Sequence, residues 1–405
     1  MSMQTALSGL NAATTELGVI SHNVANAGTT GFKGSRAEFG DLFSVSPYGL
    51  TNNQTGAGVK VAAVSQQFTQ GNIEFTENFL DLAISGQGFF TMSENGVRVY
   101  SRAGNFSIDR DGYVVNPAAQ RLQVFPPDGS GGFNTGSLTD LQLTVGENPP
   151  VATTTVTLTT NLPADAPQPA TAPFDPNDAS SYNHAASLTT YDSLGVSHVQ
   201  TTYFVKTANP NEWAANTYMD GTAIGGAQTL QYSTAGALVT PAGGQLALPA
   251  WTPPSGAAAM NISIDVAAST QFGDSFAISE LNQDGNTTGR LVGVEVDSRG
   301  VVFALFSNGR SQGLGQVAMA KFTNTQGLQK LGDNSWSETY ESGQPLIGQA
   351  GTSSFGLIQS SALEASNVDM TGQLVAMITA QRSFQANAQV ISTQDQITQT
   401  VLNIR

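Results

Sequence analysis

Three histidines and the absence of cysteine set the chemistry this 405-residue chain can attempt. His22 sits in SHNVANAGTTGFK (21–33), a run dense in turn-forming residues. His184 and His198 flank a stretch that reads as a β-hairpin, and neither has partners at the spacing zinc sites use. Without cysteine, disulfides and thiolate metal sites are excluded. DRDGY (109–113) resembles part of a calcium loop. Aligned on Gly112, however, it places Ser107 at the first ligand position and Ala118 at the twelfth, where a bidentate Glu is needed. It reads as a turn. SGQGFF (85–90) is a glycine pair with no helix after it, so it is not a dinucleotide fingerprint. No P-loop and no nucleophile elbow occur. Asp175 and Asp178 lie in a proline-rich stretch and read as solvated. The expectation is a protein that is not an enzyme and takes no cofactor and no metal.

Composition narrows the partners. Charged residues are 11% of the chain, against about 25% in ordinary soluble domains. The net charge is −15 and the pI near 4.4. Phosphate binding needs clustered Lys and Arg, which argues against nucleic acid and against an anionic membrane surface. Polarity comes from Thr, Ser, Asn and Gln, with 43 Gly and 17 Pro, a mixture suited to short strands and turns. No apolar run reaches the roughly 18 residues of a membrane span, so no membrane insertion is expected. MSMQTALSGL lacks the basic region and cleavage site of a signal peptide. The chain is therefore either cytoplasmic or exported without a cleaved signal.

Helical spacing dominates the two ends. Met3, Leu10, Leu17 and Val24 share one heptad position; Ala6, Ala13 and Ile20 share its partner, and Leu7 widens the stripe. Glu16 is the only charge in residues 1–30, so protein is expected to cover most sides of this helix. At the other end Leu374, Met377, Gln381, Phe384, Ala388 and Ile391 step by three and four. The stripe then drifts to Val390, Ile397, Val401 and Ile404, as a helix of period 3.6 does when read in heptads. From 372 to 405 the charges are Arg382, Asp395 and Arg405. One such helix alone would read as the core of an ordinary domain. Two charge-poor helices at opposite ends of a long chain point instead to surface covered by neighbouring subunits, and these stripes are the candidate polymer interface. The first helix is expected to end near Asn26 or Ala27, with Gly28 and Gly31 supplying positive φ and Phe32 packing back as an anchor.

Between the ends, residues 31–72, with a return at 352–364, read as a linker with little core and room for a short hairpin. Residues 73–150 and 286–351 read as one inner β domain, with turns at ENGV (94–97) and DRDG (109–112) and with Val292, Val294 and Val296 alternating before Asp297–Gly300. Residues 151–285 read as a second β domain inserted in the first. Its opening VATTTVTLTT alternates, Pro163, Pro167, Pro169, Pro173 and Pro176 make an extended crossing, and a hairpin turns about Asp192–Gly195 with Val199, Thr201, Tyr203 and Val205 on one face. The expected fold class is α+β. The helices of 1–30 and 365–405 pair as a coiled-coil-like layer, followed by two mainly β domains, the inserted one outermost.

Short motifs add a resemblance. Ser8, Gly9, Leu10, Asn23, Ala25, Asn26, Thr30, Gly31, Phe32 and Lys33, within SGLNAATTELGVISHNVANAGTTGFKGSRAEFGDLF, match a pattern that resembles the N-terminal signature of bacterial flagellar rod and hook proteins. His22 departs from it, standing where Asn is commonest. ALEASNVDM and LVAMITAQRSFQANAQVISTQDQI resemble the matching C-terminal signature through Leu363, Glu364, Ser366, Asn367, Val368, Gln381, Arg382, Asn387 and Asp395. LDLAISGQGFF (80–90) and YSRAGNFSIDRDGYVVN (100–116) resemble the family's β-rich body.

The insertion at 151–285 points to the hook branch of that family. The resemblance implies a structural subunit that self-assembles into a short, curved, flexible tube, a universal joint passing torque from rod to filament. It implies as partners further copies of the chain, the distal rod protein, a hook cap protein, the hook–filament junction protein and the flagellar export apparatus. It also implies an extracellular location after export without a cleaved signal. Two alternatives stand beside it. One is a distal rod subunit of the same family. The other is a secreted β-sandwich adhesin or carbohydrate-binding module, for which Trp213, Trp251 and Trp336 would have to converge into a platform.

Overall fold

The computed structural model describes residues 2–42, 56–129, 131–143, 146–352 and 354–403. Most of the glycine- and asparagine-rich stretch of the expected linker, 43–55, and Ile404 of the terminal stripe lie outside the described residues. Internal packing divides the chain into two units: 1–145 with 293–305 and 311–405, and 146–292 with 306–310.

The first unit joins a helical pair to a β body. Helix α1 spans Ser2–Ala25 and helix α2 spans Met370–Asn403. Strands Ser311–Lys321, Arg121–Phe125, Phe89–Glu94, Val97–Ser101, Ser335–Ser337 and Gln329–Gly332 follow one another in one sheet. The Asn95–Gly96 turn has φ of 52° and 88°, the primed geometry that matches strand twist. Phe90, Met92, Val99, Leu122, Val124, Val317 and Met319 are buried on one side of this body, together with Val294 and Val296. Phe89, Tyr100, Phe322 and Trp336 form a second cluster with Phe68, their rings meeting edge to face at 4.8–6.0 Å. The Trp336 indole N–H donates to Gln66 Oε1 at 2.7 Å, satisfying the one polar atom that burial would strand.

Helix α1 ends at Ala25, and three short bonds close the chain behind it: Ala27 N–H to Val24 O (3.3 Å), Thr29 N–H to Asn26 O (3.1 Å) and Phe32 N–H to Thr29 O (3.2 Å). Only Gly31 takes positive φ (68°); Gly28 does not, because these tight turns already reverse the chain before the left-handed residue is reached. Phe32 packs back onto the helix, its ring 5.4 Å from that of His22.

The expected linker differs from its sequence reading. Ser35–Leu42 pairs antiparallel with Gly58–Gln66, a hairpin packed on α1, where Ser8 Oγ accepts from Val59 N–H at 3.2 Å. Its roots are not short of core. Phe32, Lys33, Ser35, Ala362 and Glu364 are all buried. Polar pairing fills this space, so a search for apolar residues overlooks it.

The second unit has two sheets around one core. Thr155–Pro163 runs parallel to Ser263–Asp265 and Thr270–Phe272 and antiparallel to Ala277–Gln283. His184–Tyr191, Ser197–Lys206, Glu212–Met219 and Gln228–Tyr232 form an antiparallel meander. Val156, Leu158, Leu162, Phe204, Trp213, Leu230 and Ile264 are buried together. Val199, Thr201, Tyr203 and Val205 do share a face, but it is the outward one. His198, Gln200, Thr202 and Phe204 point into the core, so the β-branched face is not the buried face here. Bridges between Asn148 and Gly289 and between Val151 and Asn286 carry this unit past the expected limits of 151 and 285. The Ser307 N–H bond to Arg290 O (2.8 Å) adds the hairpin tip 306–310.

Candidate assembly interface

Helices α1 and α2 run antiparallel. Asn23 Nδ2 donates to Gln373 Oε1 at 3.1 Å, and Gly9 meets the Asn387 side chain so closely that a Cβ there would lie 2.7 Å from Asn387 Oδ1. Each step toward the start of α1 is thus a step toward the end of α2. Ala6, Ala12, Ala13 and Ile20 are buried along α1 and Ala380 along α2, with Phe384, Ala388 and Ile391 half-buried. The other seam position behaves differently. Leu10, Leu17 and Val24 are half-buried, while Met3 and Leu7 are each 51% exposed. On α2, Met377 is half-buried and Leu374, Ile397 and Val401 are exposed, as are Val375, Ile378, Val390 and Leu402. At about 1.5 Å per residue, the 34-residue α2 is roughly 15 Å longer than the 24-residue α1. The register leaves Ile397, Val401 and Leu402 beyond the start of α1. Within one chain, then, much of the apolar surface on this pair is uncovered.

The signature residues gather where the helices meet the body. Lys33, with its side chain fully buried, places Nζ 2.5 Å from Glu364 Oε1 and 2.8 Å from Thr69 O. Arg102 Nη1 reaches Glu364 Oε2 at 3.1 Å, and its Nη2 donates to Gly86 O at 2.7 Å. Gly71 N–H donates to Glu364 Oε1 at 2.9 Å, and Gly31 N–H to the Glu364 carbonyl at 2.7 Å. Burial pulls the Lys33 ammonium and the Arg102 guanidinium below their usual values, and the Glu364 carboxylate opposes that pull. Asn367 accepts from Gly34 N–H (2.8 Å) and donates to Gln67 O (2.6 Å). Asn23 exchanges two bonds with the Ser35 backbone, at 2.7 and 2.8 Å. A Cβ on Gly31 would lie 2.5 Å from Ala103 N, so glycine is required there.

Other signature residues do local work or none in the single chain. Asn26 Nδ2 caps His22 O at 2.9 Å, Ser366 Oγ accepts from Val368 N–H at 3.3 Å, and Leu363 is half-buried in a strand paired with Ile73–Phe75. Gln381 and Arg382 are exposed on α2. Arg102, Thr69 and Gln373 were not singled out from sequence. A buried acid facing two cations across more than 260 residues leaves no local pattern to find.

The histidines of the second unit are structural. His198 is buried with Nδ1 2.7 Å from Asp220 Oδ2 and Nε2 3.3 Å from Asp192 Oδ2. Asp192 also accepts from Ser255 Oγ (2.7 Å) and from the N–H groups of Leu194 and Val196 (2.9 Å each). Desolvation pushes both carboxyls up, but these bonds outweigh it and hold both below the usual carboxylate value. Ser255 bonds the carboxylate rather than the imidazole, so this is a brace between turns and not a nucleophile with its base. His184 stacks flat on Phe276 at 4.3 Å. Among the described residues no group of three His, Asp or Glu could hold a metal, and no helix is long and apolar enough to cross a membrane. Trp213 and Trp336 are buried, which removes the tryptophan platform an adhesin would need.

Comparison with known proteins fits this layout. Residues 3–33 match the family model "Flagella basal body rod protein", 83–161 "Flagellar hook protein FlgE/F/G D1 domain", 161–286 "Flagellar basal body protein FlaE D2 domain" and 359–404 "Flagellar basal body rod FlgEFG protein C-terminal". The flagellar hook protein FlgE of Salmonella typhimurium is 40% identical over 414 residues, covering 100% of both chains. The chain belongs to the flagellar hook protein FlgE family. The Escherichia coli K12 member is 40% identical over 425 residues, and that of Borreliella burgdorferi 34% over 440. The crystal structure of Helicobacter pylori flagellar hook protein FlgE2 shares the fold at a TM-score of 0.57 and 17% identity, over 72% of this chain and 100% of that one. Membership makes this a structural subunit of the flagellar hook, and the family implies self-polymerisation within the flagellum. The match at 161–286 falls in the insertion that separated hook from rod in the sequence.

Proposed function

We propose that the chain assembles into the curved hook tube and carries torque from rod to filament through a bend. The observation that supports this most directly is the helical pair, whose apolar side chains remain exposed on both helices in the single chain. In this reading Met3, Leu7, Leu374, Ile397 and Val401 are covered by neighbouring copies, and Leu10, Leu17, Ile20, Val24, Met377, Phe384, Ala388 and Ile391 build the pair itself. Burying each such Leu or Ile contributes roughly 1.5–3 kcal/mol, so a handful of positions drives assembly. The terminal helices form the polymerisation layer, and the β body of the first unit stands outside it. Assembly also brings the chain against the distal rod protein, a hook cap and the hook–filament junction protein. Its role is mechanical and includes no catalysis.

Immunogold electron microscopy of intact cells, with antibody against residues 151–285, tests this. Gold on a short curved segment between cell body and filament is the expected result. Label appearing only after the envelope is stripped would move the chain into the rod. Diffuse surface label would remove it from the flagellum.

A further inference from the structure

Helices α1 and α2 carry only three formally charged side chains: Glu16, Arg382 and Asp395. Among the described residues, neither Glu16 nor Arg382 makes an ion pair or a side-chain hydrogen bond. Asp369, just before α2, is occupied as a cap, accepting from Thr371 N–H (3.0 Å) and Gly372 N–H (3.1 Å).

The two unpaired charges lie on different surfaces. Arg382 points away from α1, on the outer face of α2. There it continues a line of exposed apolar residues, Val375 and Ile378, at spacings of three and four. Glu16 is half-buried at the edge of a groove of about 470 Å³, lined also by Val19, Ile20, Val368 and Ala376 and by the charged Arg36 and Asp369. One surface is an apolar ridge ending in a cation; the other is a partly apolar groove whose Arg36 reaches Glu38 at 3.6 Å and leaves Glu16 unpaired. Two different, complementary surfaces on one chain make a head-to-tail contact, the kind that generates an open helical assembly. Such a contact also fixes how far neighbouring copies are displaced along the axis. The register between the 23–373 and 9–387 contacts sets residue 16 opposite 380, so Arg382 stands only about 3 Å further along the axis, whereas Asp395 is roughly 20 Å from Arg382.

We propose that the α2 ridge of one copy (Val375, Ile378 and Arg382) seats in the groove of a neighbouring copy, with Arg382 paired to that copy's Glu16. This rests on the self-assembly reading above and adds its register. Covering the ridge removes Arg382 from water, and a desolvated charge opposes association unless an opposite charge meets it. Glu16 is the unpaired acid of the groove.

The test uses the full-length chain, extending seeds of tube sheared from cells that make the wild-type protein, with pelleted protein read against concentration. Glu16→Arg and Arg382→Glu are each expected to raise the critical concentration on the order of a hundredfold, since each leaves a buried charge facing a like charge. The double reversal is expected to recover most of that loss. Circular dichroism and thermal unfolding of each monomer separate lost assembly from lost folding. If both single reversals extend seeds like the wild type, the pair is refuted while the hook reading stands. Rescue of Glu16→Arg by Arg36→Glu, or of Arg382→Glu by Asp395→Arg, in place of the double reversal would also refute it. Failure of the wild-type chain itself to extend seeds would overturn the reading beneath it.

Discussion

Replacing Glu364 by Gln tests whether the joint between helices and body is held by charge. The substitution keeps the shape and leaves an oxygen to accept from Gly71, now at 2.9 Å. It removes the carboxylate that faces Lys33 at 2.5 Å and Arg102 at 3.1 Å. Both cations stay buried and lose their counterion. Breaking a buried pair costs about 3–5 kcal/mol, a large part of the roughly 5–15 kcal/mol that holds a domain together. For a unit of this size each kcal/mol moves the midpoint by about 2–4 °C, so a fall of roughly 6–20 °C is expected. Scanning calorimetry measures the size, and hydrogen exchange locates it: peptides covering Phe89–Ser101 should lose protection while those covering Ser197–Met219 should not. Asp111→Asn is the control, because its pair with Arg110, at 3.6 Å, is exposed and such pairs contribute little. If Glu364→Gln shifts the midpoint no more than Asp111→Asn does, the ionic account of this joint is wrong.

Gly31→Ala should destabilise the first unit by about 1–3 kcal/mol or more, because Ala resists a φ of 68° and its Cβ would press on Ala103; Gly28→Ala, with open space around it, should be neutral or slightly stabilising. Thermal unfolding of the two variants decides this. Asp192 and Asp220 titrate below their unfolded value of 3.8, so the stability they add is full above about pH 4 and is lost as pH falls through their folded values. Acid unfolding followed at Trp213 should therefore become less pH-dependent in Asp220→Asn. Ile397→Ser and Val401→Ser should leave the monomer midpoint unchanged, since both side chains are exposed, yet each should raise the critical concentration for seeded assembly by roughly ten- to a hundredfold.

The helices were legible in the sequence because a 3.6 period with almost no charge is a strong local signal, and the inserted β unit because strand alternation and turn residues mark it out. The partition of the helical stripe was not. Ala6, Ala13 and Ile20 turn inward while Met3 and Leu7 do not, because Gly9 lets α2 approach on one side only, and a periodicity cannot choose between sides. Lys33 and Glu364 were found only as matches to a signature, with no indication that they touch. Their bond spans 331 positions, and Arg102, which completes it, stands in a block that reads as strand and turn. Polar burial of this kind has no period. In the inserted unit the alternation showed that Val199, Thr201, Tyr203 and Val205 share a face but not which face is buried, because β-branched residues favour strands on either side of a sheet.

Charge in the first unit is therefore distributed with a mechanical consequence. A buried ion pair adds little net stability against a well-packed apolar alternative, but it is intolerant of displacement, since a small shift leaves desolvated charges unpaired. Apolar contact is non-directional and scales with area, so it tolerates sliding. This chain places the first kind of contact where α1 and α2 join the β body, at Lys33, Arg102 and Glu364, and the second kind along the exposed helix faces. In the proposed tube, bent and turning about its own curved axis, each subunit would pass torque between its layers while its contacts with neighbours lengthened and shortened once per turn. With the exposed faces covered by neighbouring copies as proposed, a rigid ionic joint inside the subunit and adaptable apolar contacts between subunits would divide those two tasks. A desolvated pair at Glu16 and Arg382 would be a fixed point between subunits, confining sliding to the apolar contacts away from it.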